Sequence, residues 1–410
     1  MNVARRVSAH QPRGPRQGLM AGLVSVALVL SGCATTGALP DVTSAPTTAQ
    51  TTAASAAPTP SATTPSAPPT RTVTLVANGD LLWHNTVWMS AQAEAKRTGN
   101  GIDGFDFDPM FAALKPIISG ADVAICHEEV PFAPKGGPYK NYPVFSAPPE
   151  IATWIASMGW DACTNASNHS VDQGVAGLIR TDTFLDQAGV AHVGTFRTAA
   201  ERAKPVIITT SSGVKVGLVS GTYGLNGFTL PADQQWAVSF LTADNMLAQA
   251  KAARQAGADI VVVDVHDGNE YQVQPTAEQV ALVKTLTASD DVDLVIGEHV
   301  HVIQPVTKVN GKWVVYGMGN LIAQQPTSMP RTYEGLTVQF TFTGTPGGRY
   351  TVSNASYIGT YFTNGDPIRV YPVVSSLAAG KGPTARLQTA RTAIAASVNL
   401  LGNNEGLIAS

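Results

Sequence analysis

The sequence predicts an α/β domain in which two mixed β-sheets lie face to face between helices, preceded by a disordered segment. Up to about residue 300, short β-branched runs alternate with helix-like stretches, which predicts βαβ units. Beyond that point strand-like runs follow one another directly, which predicts one sheet packed on another. Histidines follow many of the predicted strands, and such sheets bind ligands at the carboxyl ends of their strands.

The composition is apolar and nearly neutral. Of the 410 residues, 44% are hydrophobic and 13% are charged, with a formal net charge of -3. This is enough apolar material for one large core. So small a charge gives no electrostatic surface for nucleic acid, and no nucleic-acid partner is expected. The three cysteines, Cys33, Cys126 and Cys163, match neither a disulfide scaffold nor a CxxC zinc site.

Residues 1–33 have the layout of a bacterial lipoprotein signal peptide. Arginines at four positions before residue 17 precede the apolar stretch 19–30. The stretch ends in Leu-Ser-Gly-Cys, which resembles the lipobox whose cysteine is lipidated after cleavage. We therefore expect an extracytoplasmic protein anchored to the bacterial cell membrane by a lipid on Cys33. A plain secretory signal with a chance cysteine is the alternative.

Residues 34–71 consist almost entirely of Ala, Thr, Pro and Ser. So little apolar surface cannot offset the entropy of ordering, which predicts a disordered tether. The folded domain is expected to occupy residues 72–410.

The first part of that domain predicts alternating strands and helices. Pro149 begins one predicted helix and Gly159 ends it, while Ser212-Gly213 marks the turn of a hairpin. The predicted strands are 73–77, 121–126, 161–165, 192–193, 206–209 and 214–219. The predicted helices are 107–118, 149–158 and 174–188.

The later part predicts two more helices, a run of strands and a final helix. Gly257 ends the first of these helices. The predicted helices are 243–256, 277–288 and 384–400. The predicted strands are 259–265, the run carrying Asp293, 302–309, 313–316, 336–343 and 350–357.

The stretch 291–301, Asp-Val-Asp-Leu-Val-Ile-Gly-Glu-His-Val-His, suggests a metal site. Its apolar run ends at Gly297 and is followed by His299 and His301. At a strand end, side chains two residues apart leave on the same face. Two buried imidazoles on one face need a partner, and a metal ion is the commonest one.

Histidines elsewhere follow the same rule. Six of the eight fall at or just after predicted strand ends: His84, His127, His169, His266, His299 and His301. Polar residues near them complete the candidate set: Asp80, Glu129, Asn168 and Glu270. Imidazole and carboxylate ligands together suit Zn, Mn or Fe and disfavour an oxygen-only calcium site.

These strings resemble the CapA family of poly-γ-glutamate capsule synthesis proteins, which is related to calcineurin-like metallophosphoesterases with an αββα fold. The matching strings run in family order over residues 73–323. They are Gly79-Asp80, His127-Glu128-Glu129-Val130-Pro131, Ala166-Ser167-Asn168-His169-Ser170-Val171-Asp172-Gln173-Gly174, His266-Asp267-Gly268-Asn269-Glu270-Tyr271, Gly297-Glu298-His299-Val300-His301, and Tyr316-Gly317-Met318-Gly319-Asn320.

The resemblance implies two divalent metal ions, each with its own ligands. Asp80 and His301 would hold one ion, with Glu129 bridging to the second. The second ion would be held by Asn168, His266 and His299. His169 resembles the histidine that assists the leaving group. Residues that orient the ligands or shape the pocket would be Asp172, Glu270 and Asn320.

Three positions depart from the family pattern. His127 replaces an asparagine and is a possible additional ligand. Ser167 replaces another asparagine, which weakens a substrate contact there. His84 stands four residues after Asp80 rather than two, so both ligation and a loop position stay open.

Structural explanations exist beside the functional ones. Asp80 could cap a helix, Asn168-His169 could form a turn, and His299-Val300-His301 could be a polar strand end. Cys126 and Cys163 lie in strands that could be neighbours. A disulfide is conceivable there, but we expect two buried free thiols.

The resemblance implies a surface protein acting in capsule or envelope polymer biosynthesis, with that polymer and its synthesis machinery as partners. A metal-dependent hydrolase would cleave a phosphoester or an amide of an anionic polymer. The alternative is a non-catalytic component that binds, anchors or exports such a polymer. Nucleophilic γ-glutamyl transfer ranks lowest, because the sequence has no G-x-S-x-G elbow.

Overall fold

A computed structural model describes residues 69–410. The predicted signal peptide, Cys33 and nearly all of the predicted tether lie outside these residues. Within 69–410, no helix combines the length and apolar character needed to cross a bilayer.

The strands largely follow the predicted positions. They are β1 (Arg71–Leu81), β2 (Val123–Glu128), β3 (Ala162–Thr164), β4 (Ala191–Val193), β5 (Val206–Thr209), β6 (Lys215–Thr222), β7 (Ile260–His266), β8 (Leu294–Glu298), β9 (Val306–Val309), β10 (Lys312–Val315), β11 (Asn320–Ile322), β12 (Glu334–Gly344), β13 (Thr351–Phe362), β14 (Val370–Pro372) and β15 (Leu407–Ala409).

The helices are α1 (Asn85–Thr98), α2 (Asp108–Phe111), α3 (Lys115–Ile118), α4 (Glu150–Met158), α5 (Gly174–Ala188), α6 (Ala199–Arg202), α7 (Ala243–Gln255), α8 (Ala277–Ala288), α9 (Val373–Ala378) and α10 (Thr384–Val398), with a 3-10 turn at Pro330–Tyr333. One predicted helix is wrong, because the segment 107–118 forms two separate turns. Pro109 and Pro116 each lie in the first turn of their own helix, where a missing N–H is tolerated.

The strands of the described residues form two mixed sheets, which confirms the predicted fold class. The first has the order β14-β13-β12-β1-β2-β3-β4, with β11 also paired to β1 and β15 to β13. The second has the order β5-β6-β7-β8-β10-β9. β1 to β4 are parallel neighbours, as are β6 to β8, so two sets of carboxyl ends are available for a site.

A buried core joins the sheets face to face. Side chains alternate along the strands: Ile260 and Val262 of β7 face the first sheet, whereas Val261 and Val263 face outward. Helices α7 and α8 cover that outer face. An aromatic cluster around Trp83 covers the outer face of the first sheet together with α4.

The expectation of two free thiols is wrong, because Cys126 and Cys163 form a disulfide. Both stand opposite each other in the parallel pair β2–β3, with Cα atoms 4.4 Å apart. In-register neighbours at this distance lie within the range that a disulfide spans.

Candidate functional site

The site lies where the carboxyl ends of both sheets meet. The first sheet contributes residues at the ends of β1, β2 and β3, and the second contributes residues at the ends of β7 and β8. All six histidines that the sequence singled out are buried here or beside it, with none more than 7% exposed. The structure therefore brings together residues from Asp80 to Asn320.

Asp80 reaches the site through an irregularity in β1. Ala77 pairs with Ile125 and Asp80 with His127, so three steps along β1 match two along β2. Because side chains alternate, this extra residue turns Asp80 onto the face of His127. Gly79 permits the bend, since a Cβ there would lie 1.9 Å from the carbonyl oxygen of Gly319.

Asp80, Glu129 and His301 form one group of possible ligands, with donor atoms within 4.8 Å of one another. His301 Nδ1 lies 3.0 Å from Asp80 Oδ2 and 2.9 Å from Asn320 Oδ1. A proton on Nδ1 serves these two acceptors, which leaves Nε2 free 3.7 Å from Glu129 Oε1. Neither carboxylate oxygen of Glu129 has a hydrogen-bond partner, although both are buried.

Asp80 also belongs to a second group, with His127 and His266. His266 Nε2 lies 3.0 Å from Asn168 Oδ1, an acceptor, so Nε2 donates and Nδ1 carries a lone pair. His127 Nδ1 lies 2.9 Å from Thr164 Oγ1. The remaining nitrogens, His266 Nδ1 and His127 Nε2, are buried without partners.

His299 stands between these groups. Its ring centre is 4.8 Å from that of His266 and 6.1 Å from that of His301. Its Nδ1 is buried and unpartnered, while its backbone N–H lies 3.4 Å from Asp80 Oδ1. The strand-end geometry predicted for the pair is wrong, because β8 stops at Glu298. His299 and His301 take left-handed φ angles of 89° and 56° in the following turn.

His169 is held at the edge of the cluster by Asp172. Its Nδ1 lies 2.8 Å from Asp172 Oδ2, and that carboxylate also accepts from the backbone N–H of Phe145 at 2.7 Å. Phe145 packs edge-on against the His169 ring. Asn226, which the sequence reasoning missed, accepts from Asn168 and lies 3.4 Å from His169 Nδ1.

The other predicted residues take supporting positions. His84 joins neither ligand group, because its Nδ1 accepts the backbone N–H of Gln324 at 3.0 Å. Asn320 is fully buried and donates to the carbonyls of His301 and Thr332. Glu270 is exposed near the mouth, where its charge acts on His301.

Burial and neighbouring charges shift the pKa values of the site residues in opposite directions. Burial lowers the pKa of His127 to about 4 and that of His299 to about 3. Burial alone would lower the pKa of His301, but the charge of Glu129 and the hydrogen bond that His301 donates to Asp80 raise it to about 10. Burial raises the pKa of Glu129 well above its ordinary value.

Two acidic residues escaped the sequence reasoning. Glu298 ends β8 and Asp264 lies in β7, and both are buried against the site. Burial raises both pKa values, that of Asp264 to about 7. Period-two alternation could have found them, because Leu294, Ile296 and Glu298 share the face toward the first sheet.

The fold and this cluster define the class of protein. It is a two-sheet α/β domain with buried histidines and carboxylates where the carboxyl ends of the strands of both sheets meet. The model of the bacterial capsule synthesis protein family PGA_cap matches residues 74–325. The chain belongs to this family, which confirms the resemblance that the motifs indicate.

The curated relatives are CapA-type proteins. The chain is 25% identical over 248 residues to capsule biosynthesis protein CapA of Bacillus anthracis, covering 58% of this chain and 59% of that one. It is 26% identical over 261 residues to PGA biosynthesis protein CapA of Bacillus subtilis strain 168, covering 60% and 64%. A probable polyglutamine synthesis accessory protein of Mycobacterium tuberculosis is 24% identical over 219 residues, covering 50% and 56%. The chain thus spans about three fifths of the length of these relatives.

Solved structures of phosphoesterases are also similar. Calcineurin-like phosphoesterase YfkN from Bacillus subtilis has a TM-score of 0.43 and 14% identity, covering 80% of this chain and 98% of that one. A putative 5'-nucleotidase from Staphylococcus aureus has a TM-score of 0.45 and 12% identity, covering 79% and 58%. At these scores the likeness says nothing about the reaction.

The residues present fit divalent metal ions. Lone pairs on three imidazoles and both oxygens of Glu129 are buried without partners, which is costly unless a cation binds them. Nitrogen and carboxylate donors suit Mn, Zn or Fe. Asp80 belongs to both ligand groups, so it is available to both ions of a pair.

Proposed function

We propose that the domain is a metal-dependent hydrolase acting on a phosphoester or an amide in capsule or envelope polymer synthesis. One observation carries the proposal: Glu129, His127 and His266, whose buried lone pairs have no partners, share ligand groups with Asp80, and the ring centre of His299 lies 4.8 Å from that of His266. The family supports the setting, since its named relatives are capsule and poly-glutamate synthesis proteins.

The geometry above supports a particular set of ligands. Asp80, Glu129 and His301 would hold one ion, and Asp80, His127 and His266 the other, with Asn168 and His299 beside the second. When bound, such ions act as Lewis acids and lower the pKa of a coordinated water. Compared with the ligands that the resemblance implies, this set adds His127 and makes Asp80, rather than Glu129, the carboxylate that both groups share. It places Asn168 and His299 beside the second ion instead of among its ligands.

The protein's own residues supply orientation and a proton. Asp172 accepts from His169 Nδ1, which fixes the orientation of the ring and leaves Nε2 as the nitrogen that can serve a substrate. A protonated His169 Nε2 would donate to the leaving group. Asn168 holds His266 through its Oδ1, and Asn320 holds His301 in the same way.

Metal content of the full chain, purified in mild detergent, tests the proposal. We expect about two equivalents of Mn, Zn or Fe, and turnover of a generic phosphoester or of a γ-glutamyl amide. His266→Ala and His299→Ala should lose metal and activity, whereas the exposed Asp244→Asn should keep both. A metal-free protein, or one whose polymer binding survives these changes without any turnover, would support the non-catalytic binding role instead.

We further propose that Cys33 carries the lipid anchor. The basic, apolar and Leu-Ser-Gly-Cys order of residues 1–33 supports it. Cells fed a labelled fatty acid should label the protein, and Cys33→Ala should abolish that label while Cys126→Ala does not. Equal labelling of Cys33→Ala would contradict the assignment.

A further inference from the structure

Three exposed tyrosines surround the mouth of the candidate site. Of the ten tyrosines in the chain, only Tyr142, Tyr223 and Tyr271 count as exposed among the described residues, at 70%, 47% and 40%. They come from three different loops, which follow β2, β6 and β7. Every exposed tyrosine of residues 69–410 therefore lies beyond the carboxyl end of β2, β6 or β7, at the edge of the sheets where the site lies.

Two of these rings contact histidines of the site, and the third contacts Phe145 beside it. The Tyr223 ring centre lies 4.6 Å from that of His299, and the Tyr271 ring centre lies 6.1 Å from that of His301. Tyr142 reaches the site through Phe145, at 6.3 Å, whose ring packs 4.9 Å from His169. We call Tyr142, Tyr223 and Tyr271 the tyrosine rim.

The backbone holds one rim residue in an unfavourable conformation. Tyr271 has a φ of 65°, in the left-handed region that a bulky side chain rarely adopts. Its N–H donates to the carbonyl of Val300, at 2.7 Å, between the two histidines of the turn. Residues held in such sparsely populated conformations cluster at functional sites, so this one points to a role for the rim.

The charge around the rim is negative. Burial, and the charges of Glu270, Glu129 and Asp267, raise the pKa of Tyr223. Burial and Glu270 raise that of Tyr271 as well, so both hydroxyls stay protonated. In residues 69–410, Asp80 and Glu129 form their ion pairs with His301, and no lysine or arginine pairs with either carboxylate or with Glu270.

We propose that the tyrosine rim is a subsite for a neutral sugar ring next to the reacting bond of the substrate. Aromatic faces pack against the C–H face of a pyranose, and tyrosine hydroxyls and the Glu270 carboxylate match its hydroxyls. The inference narrows the substrates of the proposed hydrolase to compounds that carry a sugar. It rests on the proposed function, because only a hydrolase has a reacting bond for the sugar to lie beside.

Direct binding tests the subsite without turnover. Saturation-transfer NMR on the full chain would use maltotriose, cellotriose and tri-N-acetylchitotriose, with adenosine and γ-glutamylglutamate as competing chemistries. We expect at least one trisaccharide to bind, and neither competitor to displace it. Tyr223→Ala and Tyr271→Ala should each weaken binding by about 3- to 10-fold, the range for one aromatic contact.

Matched variants separate stacking from other effects. Tyr223→Phe keeps the ring and should stay within about twofold of the unmodified protein, since the stacking contact remains. Leu401→Ala, an exposed apolar residue of the C-terminal segment, should have no effect. No trisaccharide binding, preference for adenosine or γ-glutamylglutamate, or equal binding by the alanine variants would overturn the proposal.

The outcome is independent of the hydrolase proposal. His169→Asn should abolish turnover while leaving trisaccharide binding intact. If the protein binds sugar but shows no turnover, the hydrolase proposal is refuted and the sugar subsite stands. If it shows turnover but binds no sugar, the sugar subsite is refuted and the hydrolase proposal stands.

Discussion

Replacing Gly79 by alanine should damage the fold and the candidate site together. A Cβ at Gly79 would lie 1.9 Å from the Gly319 carbonyl oxygen, whereas ordinary contact begins at 3.4 Å. The backbones of β1 and the Gly319 turn must therefore separate by about 1.5 Å. Overpacking of this kind costs about 1–3 kcal/mol.

The same movement breaks a hydrogen bond beside the site. The N–H of Asp80 donates to the Gly319 carbonyl at 2.9 Å, and a buried N–H left unpaired costs about 1–3 kcal/mol. Together these give a loss of about 2–6 kcal/mol in the free energy of unfolding. A ligand displaced by much more than about 0.5 Å no longer fits a metal site, so metal content should fall as well.

Urea unfolding and elemental analysis measure both effects. Gly224→Ala is the matched control, because a Cβ there meets nothing within 4 Å and the residue is not in the left-handed region. It should change the free energy of unfolding by less than about 1 kcal/mol. If Gly79→Ala unfolds like Gly224→Ala and keeps its metal, the close approach of the two backbones does not position Asp80.

Three further predictions concern single groups. Burial raises the pKa of Asp182 to about 6, so its contribution to stability is complete below pH 4 and is lost as the pH rises through 6. In Asp182→Asn, the free energy of unfolding should lose about 3 kcal/mol of its difference between pH 4 and pH 7, as measured by urea unfolding. Loss of the disulfide in the double variant Cys126→Ala, Cys163→Ala opens a loop of 37 residues and should cost about 4 kcal/mol, and an unchanged urea midpoint would contradict it. Asp172→Asn should lower kcat by about 10- to 100-fold, with KM nearly unchanged, since an amide oxygen can still accept from the Phe145 N–H but no longer offers His169 a carboxylate partner. A rise in KM alone in steady-state kinetics would count against that role.

Much of the fold could be predicted from local pattern. The strand through Val261 and Val263 shows its β-branched run plainly, and α5 and α8 begin and end at the predicted residues. Helix α1 was missed, since its sequence is polar and His84 makes no side-chain cap. Periodicity also could not divide α2 from α3, because that division depends on where two prolines fall.

The candidate site was predictable in membership but not in geometry. Motif order brought Asp80, Glu129 and the histidines together, and the structure places them in one cluster. The extra residue before Asp80 and the left-handed turn at His299 depend on contacts with distant backbone, which no local pattern records. The disulfide was not predicted for a similar reason, because it depends on the register in which β2 and β3 pair.

The central position of β1 has a consequence for the order of folding. This strand is made first among the described elements, yet its antiparallel neighbour is β12, which is synthesised about 260 residues later. Until then one side of β1 lacks its hydrogen-bond partner over residues 71–78, an edge open to wrong pairings. A nascent chain that stops before Glu334 cannot complete the first sheet, although the partners of Asp80 at His301, Gly319 and Asn320 are already made. Completion of the first sheet is therefore a late event of chain synthesis, and chaperones that delay pairing should raise the yield of correctly folded protein.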